Sequence, residues 1–325
     1  MNTRIGNTEQ DIIIAAELIR KGEVVAFPTE TVYGLGGNAL DSAASRKIYE
    51  VKGRPSDNPL IVHLADPARL NEVAYPTRES ELLISAFCPG PLTMILKKRP
   101  VVPDETTGGR QTVAVRFPSH PIARALIQES GYPIAAPSAN VSKHVSPTSA
   151  SHVYQDLKGR IPLILDGGEC AVGIESTIVD LTGDFPVILR PGAITAEEIR
   201  RVLGAGEYFN GEITEALAPG MKYKHYSPSV PCYLAEKGSL KSALESLKSK
   251  GLRPLLIATE DTCRDFPEEE TLSLGDSAKK AQHLIYGALR ASEGYGAALI
   301  EDLSDKKEYY AAMDRIKKAT GGNRI

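Results

Sequence analysis

Short apolar runs alternate with amphipathic stretches of near-helical period along almost the whole chain, the pattern of interleaved strands and helices. Thr8 with Asp11 makes a capping-box pattern and predicts a helix over about 9–21. Val24-Val25-Ala26-Phe27 predicts a short buried strand ended by Pro28, and a polar, glycine-bearing loop is predicted from Thr29 to Gly37. A helix over 43–51 and a strand over 60–64 follow. Further strands are predicted at 92–96, 113–117, 163–165, 176–181 and 187–189, with helices at 121–129, 149–157 and 196–203, the last opened by Thr195 with Glu198. This interleaving predicts an α/β domain on a mixed sheet over 1–205.

The alternation breaks over 206–230, where Gly206 and Pro219-Gly220 precede Met221-Lys222-Tyr223-Lys224-His225-Tyr226-Ser227-Pro228. Aromatic and cationic side chains are unlike a passive tether, so the segment is read as a linker that doubles as a lid. From 231 to 325 the pattern resumes: strands at 233–234, 254–258, 272–274 and 297–300, helices at 240–248, 277–292 and 307–318. That predicts a smaller three-layer, Rossmann-like α/β domain, though without a GxGxxG turn or a catalytic constellation.

Composition narrows the function. Charge is nearly balanced at −3 overall, with 21 Lys+Arg against 23 Asp+Glu over 1–205 and 17 against 18 over 206–325. A protein that grips a polynucleotide usually carries a strongly basic domain, so strong direct tRNA binding is not expected and a small anionic ligand is. Cys88, Cys170, Cys232 and Cys263 form no CxxC pair, which predicts free thiols and no zinc site. No apolar run approaches the ~20 residues of a membrane span, and the N-terminus lacks a signal-peptide pattern, so a cytoplasmic location without membrane attachment is expected.

Four stretches carry chemistry. In Lys52-Gly53-Arg54-Pro55-Ser56-Asp57-Asn58-Pro59-Leu60 two cations end a helix before a proline, in a rigid turn feeding a strand that ends in His63. Either cation alone fits a helix C-terminus; an arginine fork beside a lysine point charge suits polyphosphate. Ala136-Pro137-Ser138-Ala139-Asn140, with Ser142 and Ser146 downstream, places hydroxyls and an amide after an apolar strand, as a ligand-binding turn does. Ser138 lacks the GxSxG context of a nucleophile. The loop Thr29-Glu30-Thr31-Val32-Tyr33-Gly34-Leu35-Gly36 follows the first predicted strand, where α/β sheets tend to place ligands. Arg116 ends an otherwise apolar strand and requires a carboxylate, from protein or ligand. P-loop, kinase and HExxH signatures are absent.

Together, Pro28 to Gly36, Lys52-Gly53-Arg54-Pro55, Asn58-Pro59-Leu60-Ile61-Val62-His63, Ser138-Ala139-Asn140, Ser176-Thr177-Ile178-Val179-Asp180, Arg190-Pro191-Gly192 and His225-Tyr226-Ser227-Pro228 resemble the L-threonylcarbamoyladenylate synthases of YrdC type, in their longer, two-domain branch. The resemblance runs in order from about residue 10 to 230. It implies a YrdC-like catalytic domain and a nucleotidyltransferase that forms threonylcarbamoyl-AMP and pyrophosphate from ATP, L-threonine and bicarbonate or carbon dioxide. The product would go to a separate tRNA threonylcarbamoyl-transferase complex, and magnesium would accompany ATP. Carried over by resemblance, Lys52, Arg54, Ser138 and Asn140 are the polar cluster at the reacting centre. Thr31, His63, Arg116, Ala136 and Ser176 hold threonine, with Arg116 on its carboxylate. Arg54, Asn58, Thr112, Ser138, Ser146, Arg190 and Tyr226 hold ATP. The alternatives are a related carbamoyl-adenylating enzyme and a non-catalytic RNA-binding protein; the first lacks the expected zinc-finger CxxC pairs here, and the flat charge distribution opposes the second.

Overall fold

The computed structural model describes residues 2–209 and 226–325, in two compact units. The first takes Met1–Ser142, Pro147–Ala171 and the chain over 175–209; the second takes Lys143–Ser146, Val172–Ile174 and the chain over 226–325. Two short segments from within the first two hundred residues thus belong to the second unit, which linear reading did not anticipate.

Helix Glu9–Arg20 begins as expected: the Thr8 hydroxyl accepts from Asp11 N, and the Asp11 carboxylate accepts from Thr8 N at 3.0 Å. Its apolar face, Ala15, Ala16 and Ile19, packs into a cluster with Val25, Phe27, Leu126 and Ile127. Helix Ala196–Leu203 opens on the predicted Thr195–Glu198 capping box.

The strands of the first unit are β1 Arg4–Gly6, β2 Val25–Phe27, β3 Gly34–Asn38, β4 Ile61–His63, β5 Leu92–Lys97 and β6 Thr112–Arg116. They continue as β7 Ile134–Ala136, β8 Leu163–Leu165, β9 Thr177–Asp180, β10 Val187–Arg190 and β11 Glu207–Tyr208. Among the described residues they form one mixed sheet in the order β1-β8-β2-β3-β7-β4-β6-β5-β9-β10-β11. Glu207 and Tyr208, read as the start of the linker, pair in parallel with β10. The expected lid residues 210–225 lie outside the described residues.

β3 corrects the reading of Thr29 to Gly37 as one loop. Glycine is a poor strand former, but here close packing requires it: a Cβ on Gly36 would stand 2.6 Å from both Ile134 Cγ2 and Phe27 Cε1. β1 and helix Arg78–Phe87 were also not anticipated, while β7 is the apolar strand expected before the Ser138 turn, with bounds that the sequence left open. β7 is three apolar residues between Pro133 and Pro137, too short to show a period.

The second unit holds β12 Cys232–Ala235, β13 Pro254–Ala258, β14 Thr271–Ser273 and β15 Ala297–Glu301, all parallel, in the order β12-β15-β13-β14. β13 and β15 are buried throughout, as strands covered on both faces must be. Helices Leu240–Ser249, Ala278–Ala291 and Tyr310–Thr320 follow β12, β14 and β15.

Candidate functional site

Sheet register brings the polar residues of the first unit together. β4 and β6 run parallel with His63 opposite Arg116, while antiparallel β5 sets Thr93 opposite Arg116. His63 and Arg116 are the last residues of their strands, at the carboxyl ends where α/β sheets bind ligands. By strand alternation Arg116, Ala114 and Thr112 share one face of β6. That face carries the apolar cluster Ile61, Ile95, Ala114, Ile178 and Leu189, so Arg116, His63 and Thr93 bound an apolar floor at one end. Thr112 lies at the other end of β6, about 13 Å away.

Arg116 is buried, and its Nη1 donates to Thr31 Oγ1 at 2.8 Å. Its Nη2 stands 2.8 Å from Glu30 Oε1 as an ion pair, but out of hydrogen-bond alignment. Among the described residues, Arg116 Nε, Arg116 Nη2 and Glu30 Oε1 have no hydrogen-bond partner. The other Glu30 oxygen, Oε2, accepts from Ser119 N at 3.1 Å. The carboxylate that Arg116 required is therefore supplied by the loop after β2. That loop is braced by Thr29 Oγ1, which donates to Val32 O at 2.7 Å and lies 2.9 Å from Thr31 Oγ1.

Burial, the largest single effect, raises the Glu30 pKa, but the Arg116 charge and the hydrogen bonds to the carboxylate, Ser119 N among them, together outweigh it and hold the carboxyl below its ordinary value. His63 is also buried, with Nδ1 3.0 Å from Ile61 O and its ring edge-on to Phe27 at 6.1 Å. Burial, and then the Arg116 charge, push its pKa down to about 3, so His63 is a neutral hydrogen-bonding ring at neutral pH. Ser176 Oγ lies 2.7 Å from Thr93 Oγ1 and accepts from Arg190 Nη2 at 3.1 Å; Arg190 Nε donates to Ser176 O at 3.0 Å. Gly192 permits this close approach, because a Cβ there would lie 2.4 Å from Thr177 N.

The second group is built at the end of helix Ser42–Lys52, closed by Gly53 in the left-handed conformation at φ 60°. The Lys52 ammonium is fully buried and does not serve its own helix. It donates to the main-chain oxygens of Ser138 and Asn140 and approaches Asn140 Oδ1 at 3.4 Å. Burial, and next the Arg54 charge, push its pKa well below the ordinary value, against the opposing charge of Asp156. Ser138 Oγ donates to Asn140 Oδ1 at 2.5 Å, and Ala139 N to Tyr33 O at 2.8 Å. Lys52, Ser138 and Asn140, separate in sequence, thus form one unit with the first loop. Arg54 donates through Nε to Asn58 O at 3.1 Å and through Nη2 to Pro59 O at 3.2 Å, stapling its own turn. Asn58 Oδ1 is buried without a hydrogen-bond partner among the described residues, an acceptor open to a ligand. Ala136 ends β7 opposite Ile61.

Ser146 and Tyr226 belong to the second unit. Tyr226 is buried at φ 65°, stacked on Tyr286 with ring centroids 5.4 Å apart, and Arg315 stands 5.6 Å from its ring. Linear reading overlooked Glu30 and Thr93. Each carried a signal: Glu30 is the acid of the quoted loop, and Thr93 a lone hydroxyl in the apolar run of β5.

The family profile named Sua5–YciO–YrdC, described as telomere recombination, matches residues 17–192, and that of the threonylcarbamoyl-AMP synthase C-terminal domain matches residues 194–321. A threonylcarbamoyl-AMP synthase of Pyrococcus abyssi is 43% identical, over 99% of this chain and 97% of its own length. One from Bacillus subtilis is also 43% identical, over 99% and 96%. The crystal structure of Pyrococcus abyssi Sua5 complexed with L-threonine superposes with a TM-score of 0.93 at 43% identity, covering 100% of this chain and 98% of that one.

Proposed function

Because the chain belongs to the two-domain Sua5 family of threonylcarbamoyl-AMP synthases, we propose that it is a nucleotidyltransferase that condenses L-threonine, bicarbonate and ATP into threonylcarbamoyl-AMP and pyrophosphate. The observation that carries the reading is Arg116: a buried guanidinium whose Nε and Nη2 have no hydrogen-bond partner among the described residues, Nη2 being ion-paired with Glu30, beside hydroxyls and a neutral imidazole, at the carboxyl end of its strand. Those two nitrogens form the side-on fork that grips a carboxylate through parallel N–H groups. Thr31, His63 and Ser176 are short-range donors and acceptors for the rest of a small hydroxy-amino acid.

The reaction brings a carbamate oxygen onto the α-phosphorus of ATP as pyrophosphate leaves. Both partners are anionic, so fixed donors and cations that need no rearrangement are what the site must contribute. Arg54, Ser138 and Asn140 supply them, in a loop that Lys52 anchors through main-chain oxygens. Within the first unit, Arg54, Asn58, Thr112, Ser138 and Arg190 are the proposed nucleotide contacts. Magnesium would arrive on the triphosphate, whose oxygens serve as ligands and leave few positions for protein. The unpartnered Asn58 Oδ1 is an oxygen donor suited to such a complex, and no cage of three His, Cys, Asp or Glu lies among the described residues. The product would pass to a separate enzyme that loads it onto tRNA. No helix among the described residues is long and apolar enough to cross a membrane.

The test is pyrophosphate release from ATP. It is expected to require threonine and bicarbonate together; equal release with threonine omitted contradicts the proposal.

A further inference from the structure

We propose that Glu30 receives the ammonium group of the amino-acid substrate and takes its proton as the carbamate forms, an inference that rests on the synthase reading above. A carboxylate gripped by the Nε/Nη2 edge of Arg116 leaves the ammonium on the adjacent carbon, because an α-amino acid carries both groups on one atom. Glu30 Oε1 stands 2.8 Å from Nη2, has no hydrogen-bond partner among the described residues, and belongs to a side chain nine-tenths buried. Its other oxygen is fixed by Ser119 N, so Oε1 is held in place rather than free to swing into water. With the substrate carboxylate paired to Arg116, an ammonium placed here without Glu30 would be a buried cation with no counter-charge of its own.

The neighbouring titratable groups leave Glu30 as the acceptor. His63, Cys88, His120 and Cys170 all lie within its electrostatic reach. His63 is too weak a base, with its pKa pushed down to about 3, and burial also lowers that of His120. Burial pushes the thiols of Cys88 and Cys170 up to about 12, so both stay protonated. In the free protein, burial raises the Glu30 pKa and the Arg116 charge lowers it. A substrate carboxylate on Arg116 cancels the second effect, and once the nitrogen has given up its charge only burial is left, which favours the proton staying on Glu30. The step balances. The ammonium gives one proton to the Glu30 carboxylate, and the amine lone pair forms an N–C bond to bicarbonate. The C–OH bond breaks, and that hydroxyl leaves as water with one of the two protons left on nitrogen, while the other stays as the carbamate N–H. One carbamate, one water and one protonated Glu30 result, and Glu30 resets by releasing its proton to solvent.

The experiment compares binding of L-threonine with that of 2,3-dihydroxybutanoate, which keeps the carboxylate and the 3-hydroxyl but replaces the ammonium by a hydroxyl. Calorimetric titration without ATP is expected to show that Glu30→Gln loses about tenfold or more in threonine affinity, the scale of one charge-assisted hydrogen bond, and less than about twofold for the hydroxy acid. Equal losses for both ligands would make Glu30 a mere support for Arg116 and overturn the proposal, as would unchanged threonine affinity. Should Glu30→Gln fail to fold, the native protein gives the answer: threonine must bind about tenfold or more tighter than the hydroxy acid, and equal affinity refutes the assignment. At saturating threonine, kcat of Glu30→Gln is expected to drop about a hundredfold or more; an unchanged kcat assigns the proton to another group. The binding comparison needs no turnover, so native protein that discriminates between the ligands yet releases no pyrophosphate would sink the synthase reading and leave the ammonium site standing.

Discussion

Replacing Lys52 with methionine tests whether its ammonium holds the loop that carries Ser138 and Asn140. Methionine keeps most of the side-chain volume, so the change removes a donor rather than opening a large cavity. The main-chain oxygens of Ser138 and Asn140 both lose the Lys52 ammonium. Two orphaned carbonyls at about 1–3 kcal/mol each give a gross loss of about 2–6 kcal/mol. Relief of the buried charge, whose ordinary pKa burial has already lowered, offsets part of this. A net destabilisation of about 2–3 kcal/mol is expected, read as a shift in the urea unfolding midpoint at constant slope. Relaxation of the loop displaces Ser138 Oγ and Asn140 Oδ1, which are joined at 2.5 Å, and misplacement by about 1 Å costs about a hundredfold in pyrophosphate release. A Lys52→Met protein within about 0.5 kcal/mol of native stability would refute the anchoring role, whatever its activity.

Three further outcomes are expected. Arg116→Lys replaces a fork by a point charge and should raise the threonine KM about tenfold or more with a smaller change in kcat; a KM within twofold of native contradicts the fork. Gly36→Val puts side-chain atoms where Ile134 and Phe27 already stand 2.6 Å from a Cβ, so thermal unfolding should show a loss of about 1–3 kcal/mol, and a neutral variant would contradict the packing. The His63 pKa is depressed in the folded protein, so between its ordinary value of 6.5 and about 3 the unfolded chain binds the extra proton. Stability should therefore fall with falling pH below 6.5, approaching about 1.4 kcal/mol per pH unit from this group. His63→Gln should flatten that slope between pH 6.5 and 5, and an unaltered slope would place the titration elsewhere.

Much of this was readable from local chemistry. Thr8 with Asp11 and Thr195 with Glu198 mark helix starts because capping bonds lie within four residues, and each was found in place. The need of Arg116 for a carboxylate was also legible, since a cation at the end of an apolar strand must be paired. That Glu30 is the protein's answer was not, because only the pairing of distant strands brings that loop to β6. The strand at Gly34–Asn38 was hidden because glycine signals a turn in one dimension, while in three it makes room for Phe27 and Ile134. Lys52 was legible with Arg54 as a cation pair suited to polyphosphate, but that its ammonium donates to the main-chain oxygens of Ser138 and Asn140 was not, because that segment is distant in sequence. The assignment of Lys143–Ser146 and Val172–Ile174 to the second unit left no trace in the alternation of the chain, for it depends on contacts and not on period.

The pairing of β1 with β8, Arg4 opposite Leu163, has a consequence for synthesis on the ribosome. β2 also pairs with β8, through Ala26 and Ile164, so the first strands made must wait for one of the later ones. At about 5–20 residues per second, the intervening chain takes on the order of ten to thirty seconds to emerge. During that interval β2 can pair with β3, but its other edge, Val25-Ala26-Phe27, presents unpaired backbone and apolar side chains. Such an edge is a template for pairing with another chain. Nascent protein stalled before residue 163 should therefore be a substrate for holding chaperones, and protection should appear abruptly once Leu163–Leu165 clears the exit tunnel.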